Sequence, residues 1–242
     1  MSNPFTGIGY FFQGLRLITQ PGLRRYVMIP LLINFTLFAG LIWFGSSQFE
    51  VFLQWMMPEL PEWLQWFEWL LWIVFGVAAL LILFYVFSLL ANVVASPFNG
   101  LLAEAVERHL TGEAQDADGG WKKMVSELVP TIIDELKKLL YMAAWSIPFL
   151  LLFLIPVVNL VAPFIWLAFS AWMMTVEYAD YPMGNHGLRS DEQKRRLGDN
   201  RMMSLGFGGA VTLATMTPIL NFLVMPAAVA GATAMWVERW KN

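Results

Sequence analysis

Four stretches of this chain, 26–49, 69–103, 139–176 and 202–237, contain no Asp, Glu, Lys or Arg. Each is longer than the ~18 residues that make a candidate membrane span. A water-soluble core has no room for so much apolar surface. The chain is 58% hydrophobic and 14% charged with mean hydropathy +0.58, whereas about 25% charged is usual for a soluble domain. Lipid must cover part of it. Its 12 Trp and 19 Phe agree, since aromatic side chains gather at bilayer interfaces and between packed helices. The expectation is an all-α integral membrane protein.

The four stretches divide into two kinds. Residues 31–44 and 70–90 are almost wholly aliphatic and aromatic, and they mark a first span over 21–49 and a second over 69–110 that ends in a polar extension. The segment Ser96-Pro97-Phe98-Asn99 is read as a break where the second span leaves the membrane. The other two stretches are interrupted by proline and share a pattern: Pro156-Val-Val-Asn159 leads to Pro163, and Pro218-Ile-Leu-Asn221 leads to Pro226. This is a degenerate internal repeat. The arms after it, 164–176 and 227–237, reach only roughly 20 and 17 Å at 1.5 Å per residue, short of the ~30 Å hydrocarbon core. Two re-entrant half-membrane hairpins are therefore expected over 139–176 and 202–237, with Asn159 and Asn221 at their tips bonding freed backbone groups. Two tilted spans joined by a tight turn are the alternative at each place.

Charge placement sets the sidedness. All 15 Lys and Arg lie outside the four uncharged stretches, before the first, between the second and third, between the third and fourth, or in the tail, while 45–68 holds four Glu and no basic residue. The basic face is expected to be cytoplasmic. Residues 1–20 form an interfacial helix after Asn3-Pro4, with Phe5, Ile8, Phe12 and Leu15 on one face. Residues 121–138 carry a continuous apolar stripe and form an amphipathic cytoplasmic helix. The whole of 1–242 is then one membrane domain, and no cleavable leader is read in its first residues.

Catalytic spacing is absent: there is no nucleophile elbow, phosphate loop or dinucleotide-binding glycine run. No Cys exists and the two His are far apart, so neither thiol chemistry nor a metal is expected. An enzyme, a cofactor and a nucleic-acid partner are all disfavoured. The group that invites chemistry is Gln20-Pro21-Gly22-Leu23-Arg24-Arg25. Were Pro21 the first helical residue, the amides of Gly22, Leu23 and Arg24 would lack helical partners and face outward at the positive end of the dipole. Arg24 and Arg25 add planar donors that match an oxyanion. Sulfate suits such a site better than phosphate, because no Asp or Glu precedes Glu50 to accept a ligand proton. The plainer reading makes both arginines lipid anchors of a non-transporting scaffold. Asn99, Glu104 and Arg108 are weaker candidates for a pathway or gate; an i,i+4 pair between Glu104 and Arg108 is expected on a solvated face. His109 and His186 read as surface residues, and 178–182 as a cap and turn.

Taken together these features resemble the CysZ sulfate permeases of bacteria. The resemblance is carried by Gly22, Leu23, Arg24 and Arg25 with Ile29-Pro30-Leu31-Leu32-Ile33-Asn34, by 95–104 (ASPFNGLLAE), by 177–182 with Asn185 and His186, and by 221–237 (NFLVMPAAVAGATAMWV). It implies sulfate uptake across the inner membrane for cysteine biosynthesis, by an ATP-independent channel or a proton-dependent permease. It also implies two long spanning helices with two half-membrane hairpins, assembly as a homo-oligomer in the lipid bilayer, and a sulfate site at Gly22, Leu23, Arg24 and Arg25.

Overall fold

Asn3 opens the first helix as its side-chain oxygen accepts the amide of Phe5 at 3.0 Å, and Pro4 takes the first helical position, where a missing N–H costs nothing. In the computed structural model, which describes residues 3–56, 68–112 and 140–241, this helix is α1 (Pro4–Leu17). It is followed by α2 (Arg24–Met56), α3 (Glu68–Thr111), α4 (Leu140–Leu152), α5 (Ala162–Asn185), α6 (Ser190–Asp199), α7 (Arg201–Thr215) and α8 (Pro218–Arg239). The described residues form helices joined by turns and include no strand. The expected amphipathic helix over 121–138 lies outside them.

The chain divides into two compact units, one formed by Met1–Arg24 with Asn99–Asn242 and the other by Arg25–Phe98. In the second unit α2 has 33 residues, about 50 Å of helix, and exposes Leu32, Phe35 and Ile42. Helix α3 has 44 residues and continues through Pro97, so the break expected at 96–99 does not occur. A proline forfeits one backbone bond, and a long apolar helix tolerates that loss.

In the first unit α1, α5, α7 and α8 pack at close range. A Cβ on Gly14 would fall 2.0 Å from the carbonyl oxygen of Ala227, and one on Gly208 would fall 1.7 Å from that of Ala171. Backbone thus rests directly on backbone, as in small-residue helix contacts within membranes. The buried face of α1 is Gly7, Tyr10, Phe11, Gly14 and Leu17. Phe5 and Phe12 of the expected apolar face point outward, so α1 has two apolar faces and gives one of them to the protein. Tyr10 donates to Glu238 at 2.9 Å and accepts from Arg239 at 3.1 Å; burial pushes its hydroxyl above the ordinary phenol range, with the Arg239 bond opposing.

Helix α4 folds back on α5. Trp172 donates its ring N–H to the Tyr141 hydroxyl at 3.1 Å, and Phe149 meets Phe169 with ring centroids 4.8 Å apart, an antiparallel order. The tip between them is closed by backbone bonds, Asn159 to Ile155 at 3.0 Å and Val161 to Val158 at 2.9 Å, with Val157 held at φ 72°. The Asn159 and Asn221 side chains, both exposed, make no hydrogen bond to tip backbone among the described residues, contrary to the role expected of them. In the second pair the turn is at Met216 and Thr217. Pro218 starts α8, Asn221 lies in its first turn, and Pro226 is inside it. The return arm is therefore 22 residues, about 33 Å, and the length argument for a half-membrane arm fails there. Among the described residues, Leu220–Arg239 is the one stretch that by itself is long and apolar enough for a span, and 61% of its most apolar window is buried in the fold.

Candidate anion site at the start of helix α2

Helix α1 unwinds through short-range bonds, Thr19 to Arg16 at 3.3 Å and Gln20 to Leu17 at 3.0 Å. The next residues, Pro21, Gly22 and Leu23, form a turn instead of helix. Gly22 has φ +91°, and a Cβ there would meet nothing within 4 Å. Backbone conformation, not lack of space, calls for glycine. The turn brings the amides of Leu23 and Arg24 onto the Gln20 carbonyl, at 3.2 and 3.3 Å. This corrects the expectation of three unoccupied amides. Pro21 does not begin the helix; α2 begins at Arg24, and two of the three donors already have an acceptor.

What faces water here is side chain. Leu23 is 4% exposed and anchors the turn, whereas Gly22, Arg24 and Arg25 are exposed. Arg25 donates to the Tyr26 hydroxyl at 3.0 Å with its guanidinium carbon 4.9 Å from that ring's centroid, which limits its rotamers while leaving other N–H groups of the fork. The first turn of α2 contains no acid. The motif therefore offers guanidinium donors at a positively polarised helix end, with weaker backbone participation than the sequence implies.

The other candidate residues lie on α3. Asn99 is buried, and its amide donates to the Tyr181 hydroxyl at 3.3 Å. Tyr181 and Pro182 belong to α5, which runs on to Asn185 in place of the expected cap and turn. Glu104 is half-buried, Arg108 is exposed, and the pair expected between them is not formed. The buried acid of this segment is Glu107, 1% exposed, which receives His186 Nε2 at 2.8 Å and Lys241 Nζ at 3.0 Å. The His186 ring packs 5.1 Å from that of Trp236. His186 is at the surface, as expected, and its ring also serves as a structural partner of a buried carboxylate. The partners are 79 positions apart in the chain, and no local spacing announces the contact. No cluster of three or more His, Asp or Glu able to hold a metal occurs among the described residues.

The family model described as Sulfate transporter CysZ/Etoposide-induced protein 2.4 matches residues 10–226. The chain belongs to this family. Its relatives include proteins named Sulfate transporter CysZ from Pseudomonas syringae pv. tomato, 43% identical over 96% of this chain and 92% of the relative. Those from Pectobacterium atrosepticum and Salmonella typhimurium are 40% and 41% identical, each over 98% of this chain and over 86% and 94% of their own lengths. The matched region of the family model contains the glycine turn, both arginines and the Asn99–Arg108 face.

Proposed function

We propose that this protein takes up sulfate across the bacterial inner membrane, supplying cysteine biosynthesis, without ATP hydrolysis or other catalysis of its own. The observation that carries the reading is a pair of exposed arginines, Arg24 and Arg25, separated by Leu23 alone from the positive-φ Gly22, in a chain matched almost end to end by proteins named sulfate transporters. In this proposal α2 and α3 cross the bilayer, the α4–α5 and α7–α8 hairpins enter and return on the cytoplasmic side, and copies assemble as a homo-oligomer. Sulfate docks on Arg24 and Arg25, whose guanidinium groups replace part of its hydration shell. The Leu23 and Arg24 amides are engaged by Gln20, so the arginine side chains bear most of the affinity. Asn99, Glu104 and Arg108 are assigned to the pathway beyond the site.

Inward movement of a dianion against 100 mV costs about 4.6 kcal/mol, twice the single-charge value. Uptake therefore runs either as a channel drained by rapid consumption of internal sulfate or with proton coupling. Sulfate flux into proteoliposomes with and without an inward proton gradient separates the two. Arg24→Ala with Arg25→Ala should weaken sulfate binding at least about tenfold and remove flux, while the paired Lys substitutions retain charge but lose the fork and fall between. Unchanged binding in the folded double-Ala protein would refute the site.

A further inference from the structure

A cavity of about 620 Å³ opens between the outer side of α1 and the end of α8. Its floor is Tyr10, 3% exposed, whose hydroxyl donates to Glu238 Oε2 at 2.9 Å and accepts from Arg239 Nε at 3.1 Å. Among the described residues Glu238 and Arg239 form no ion pair with each other. Each is bound instead to the one phenol oxygen, so a carboxylate and a guanidinium stand side by side and are held apart. Gln13 gives the carboxylate a second bond at 3.4 Å, and two carboxylate oxygens accept about four in all. The terminal nitrogens of Arg239 take no part in its bond to Tyr10, and Arg16, one turn beyond Gln13, brings a second guanidinium to the wall. One side of the mouth is apolar: Phe12 lines it and is exposed, and Phe5, two turns earlier on the same side of α1, is exposed as well.

We infer that this cavity binds a phospholipid headgroup carrying both a phosphodiester and a primary ammonium, that of a phosphatidylethanolamine. The ammonium sits on Glu238, the phosphate on Arg16 and Arg239, and the chains run out over Phe12. Two opposite charges fixed at separate places suit a ligand with the same two charges reversed, and both contacts are charge-assisted hydrogen bonds. A small anion such as sulfate has nothing to offer the carboxylate, which repels it. A choline headgroup has the right charges, but its quaternary nitrogen has no N–H to give. A free amino acid leaves the exposed phenyl ring bare. Tyrosine beside an apolar mouth is also the side chain that favours headgroup depth. The inference rests on the membrane placement proposed above but not on sulfate transport, and its test involves neither sulfate binding nor flux.

The experiment is native mass spectrometry of the purified protein after incubation with palmitoyl-oleoyl phosphatidylethanolamine or with phosphatidylcholine bearing the same chains. Both lipids are zwitterions of equal net charge, so the comparison isolates the ammonium N–H groups. The protein should retain the ethanolamine lipid roughly fivefold better, the worth of a hydrogen bond to an exposed charged group. Glu238→Gln keeps an acceptor for Tyr10 and should abolish the preference, while Arg16→Ala should lower retention of both lipids alike. Asp199→Asn removes an exposed acid from α6 and should leave the preference intact. Equal retention of the two lipids by the unaltered protein would overturn the proposal without any variant and leave the membrane placement standing; retention of neither would overturn both. A preference that survives Glu238→Gln, or falls equally in the Asp199→Asn control, would also sink it. So would displacement of the bound lipid by millimolar phosphoethanolamine, which would make the cavity a site for a soluble zwitterion.

Discussion

Helices α2 and α8 are alike in sequence, each with a long run free of charge, yet the fold treats them oppositely. Along α8, Ala227, Ala228, Val229, Ala230, Ala232, Ala234, Met235 and Trp236 are all buried. Along α2, Leu32, Phe35 and Ile42 stand 57%, 71% and 55% exposed. Hydropathy does not separate them; residue size does. The small residues of α8 let the α1 backbone come within contact at Gly14, whereas a Cβ on Gly40 of α2 would meet nothing within 4 Å. An apolar run shows that water is excluded. Whether protein or lipid excludes it is decided by how closely another backbone can approach.

Substitutions at glycine test this contrast most severely. Gly14→Leu or Gly208→Leu should cost about 3 kcal/mol or more, since the clash is with backbone that has nowhere to go. Gly40→Leu should stay within about 0.5 kcal/mol, read as thermal unfolding in detergent. An equally large loss at Gly40 would mean that α2 packs on protein in the assembled molecule, with a second copy the first candidate. Next in size is His186→Ala, which strips one partner from buried Glu107 and should cost about 1–3 kcal/mol in the same assay. Val157→Gly at the hairpin tip should stabilise by about 1 kcal/mol by relieving a left-handed β-branched residue. The smallest effect concerns Glu192, whose carboxyl is held below the ordinary range by Arg196 first and Arg195 second. Its stabilisation is present above the unfolded carboxylate pKa of about 4.3 and is lost as pH falls through the depressed folded value. Glu192→Gln should therefore differ most from the parent in melting temperature near pH 7 and converge with it in acid.

Much of this was legible in the chain. The Asn3-Pro4 start of α1 and the interruption near Pro156 rest on local rules that act within a few residues. Several expectations fail for identifiable reasons. Pro226 and Pro97 lie inside helices, because a proline breaks a helix only when the freed carbonyl and the ring clash outweigh what the rest of the helix gains by packing. Pro21 fits both a helix start and the second position of a turn, and only the positive φ of Gly22 separates them. The Glu107 cluster left no trace because its members come together from α3, the end of α5 and the tail. The proposed anion site rests on residue type, and the structure moves the weight of its donors from amide to guanidinium.

The glycine contacts have a mechanical consequence. Where one main chain lies against another with no side chain between them, there is no soft rotamer to absorb a displacement, and close-packed interiors are poorly compressible. A push on α1 at Gly14 reaches α8 at Ala227, and a push on α7 at Gly208 reaches α5 at Ala171, with little damping along the way. These helices are built to respond as one stiff frame.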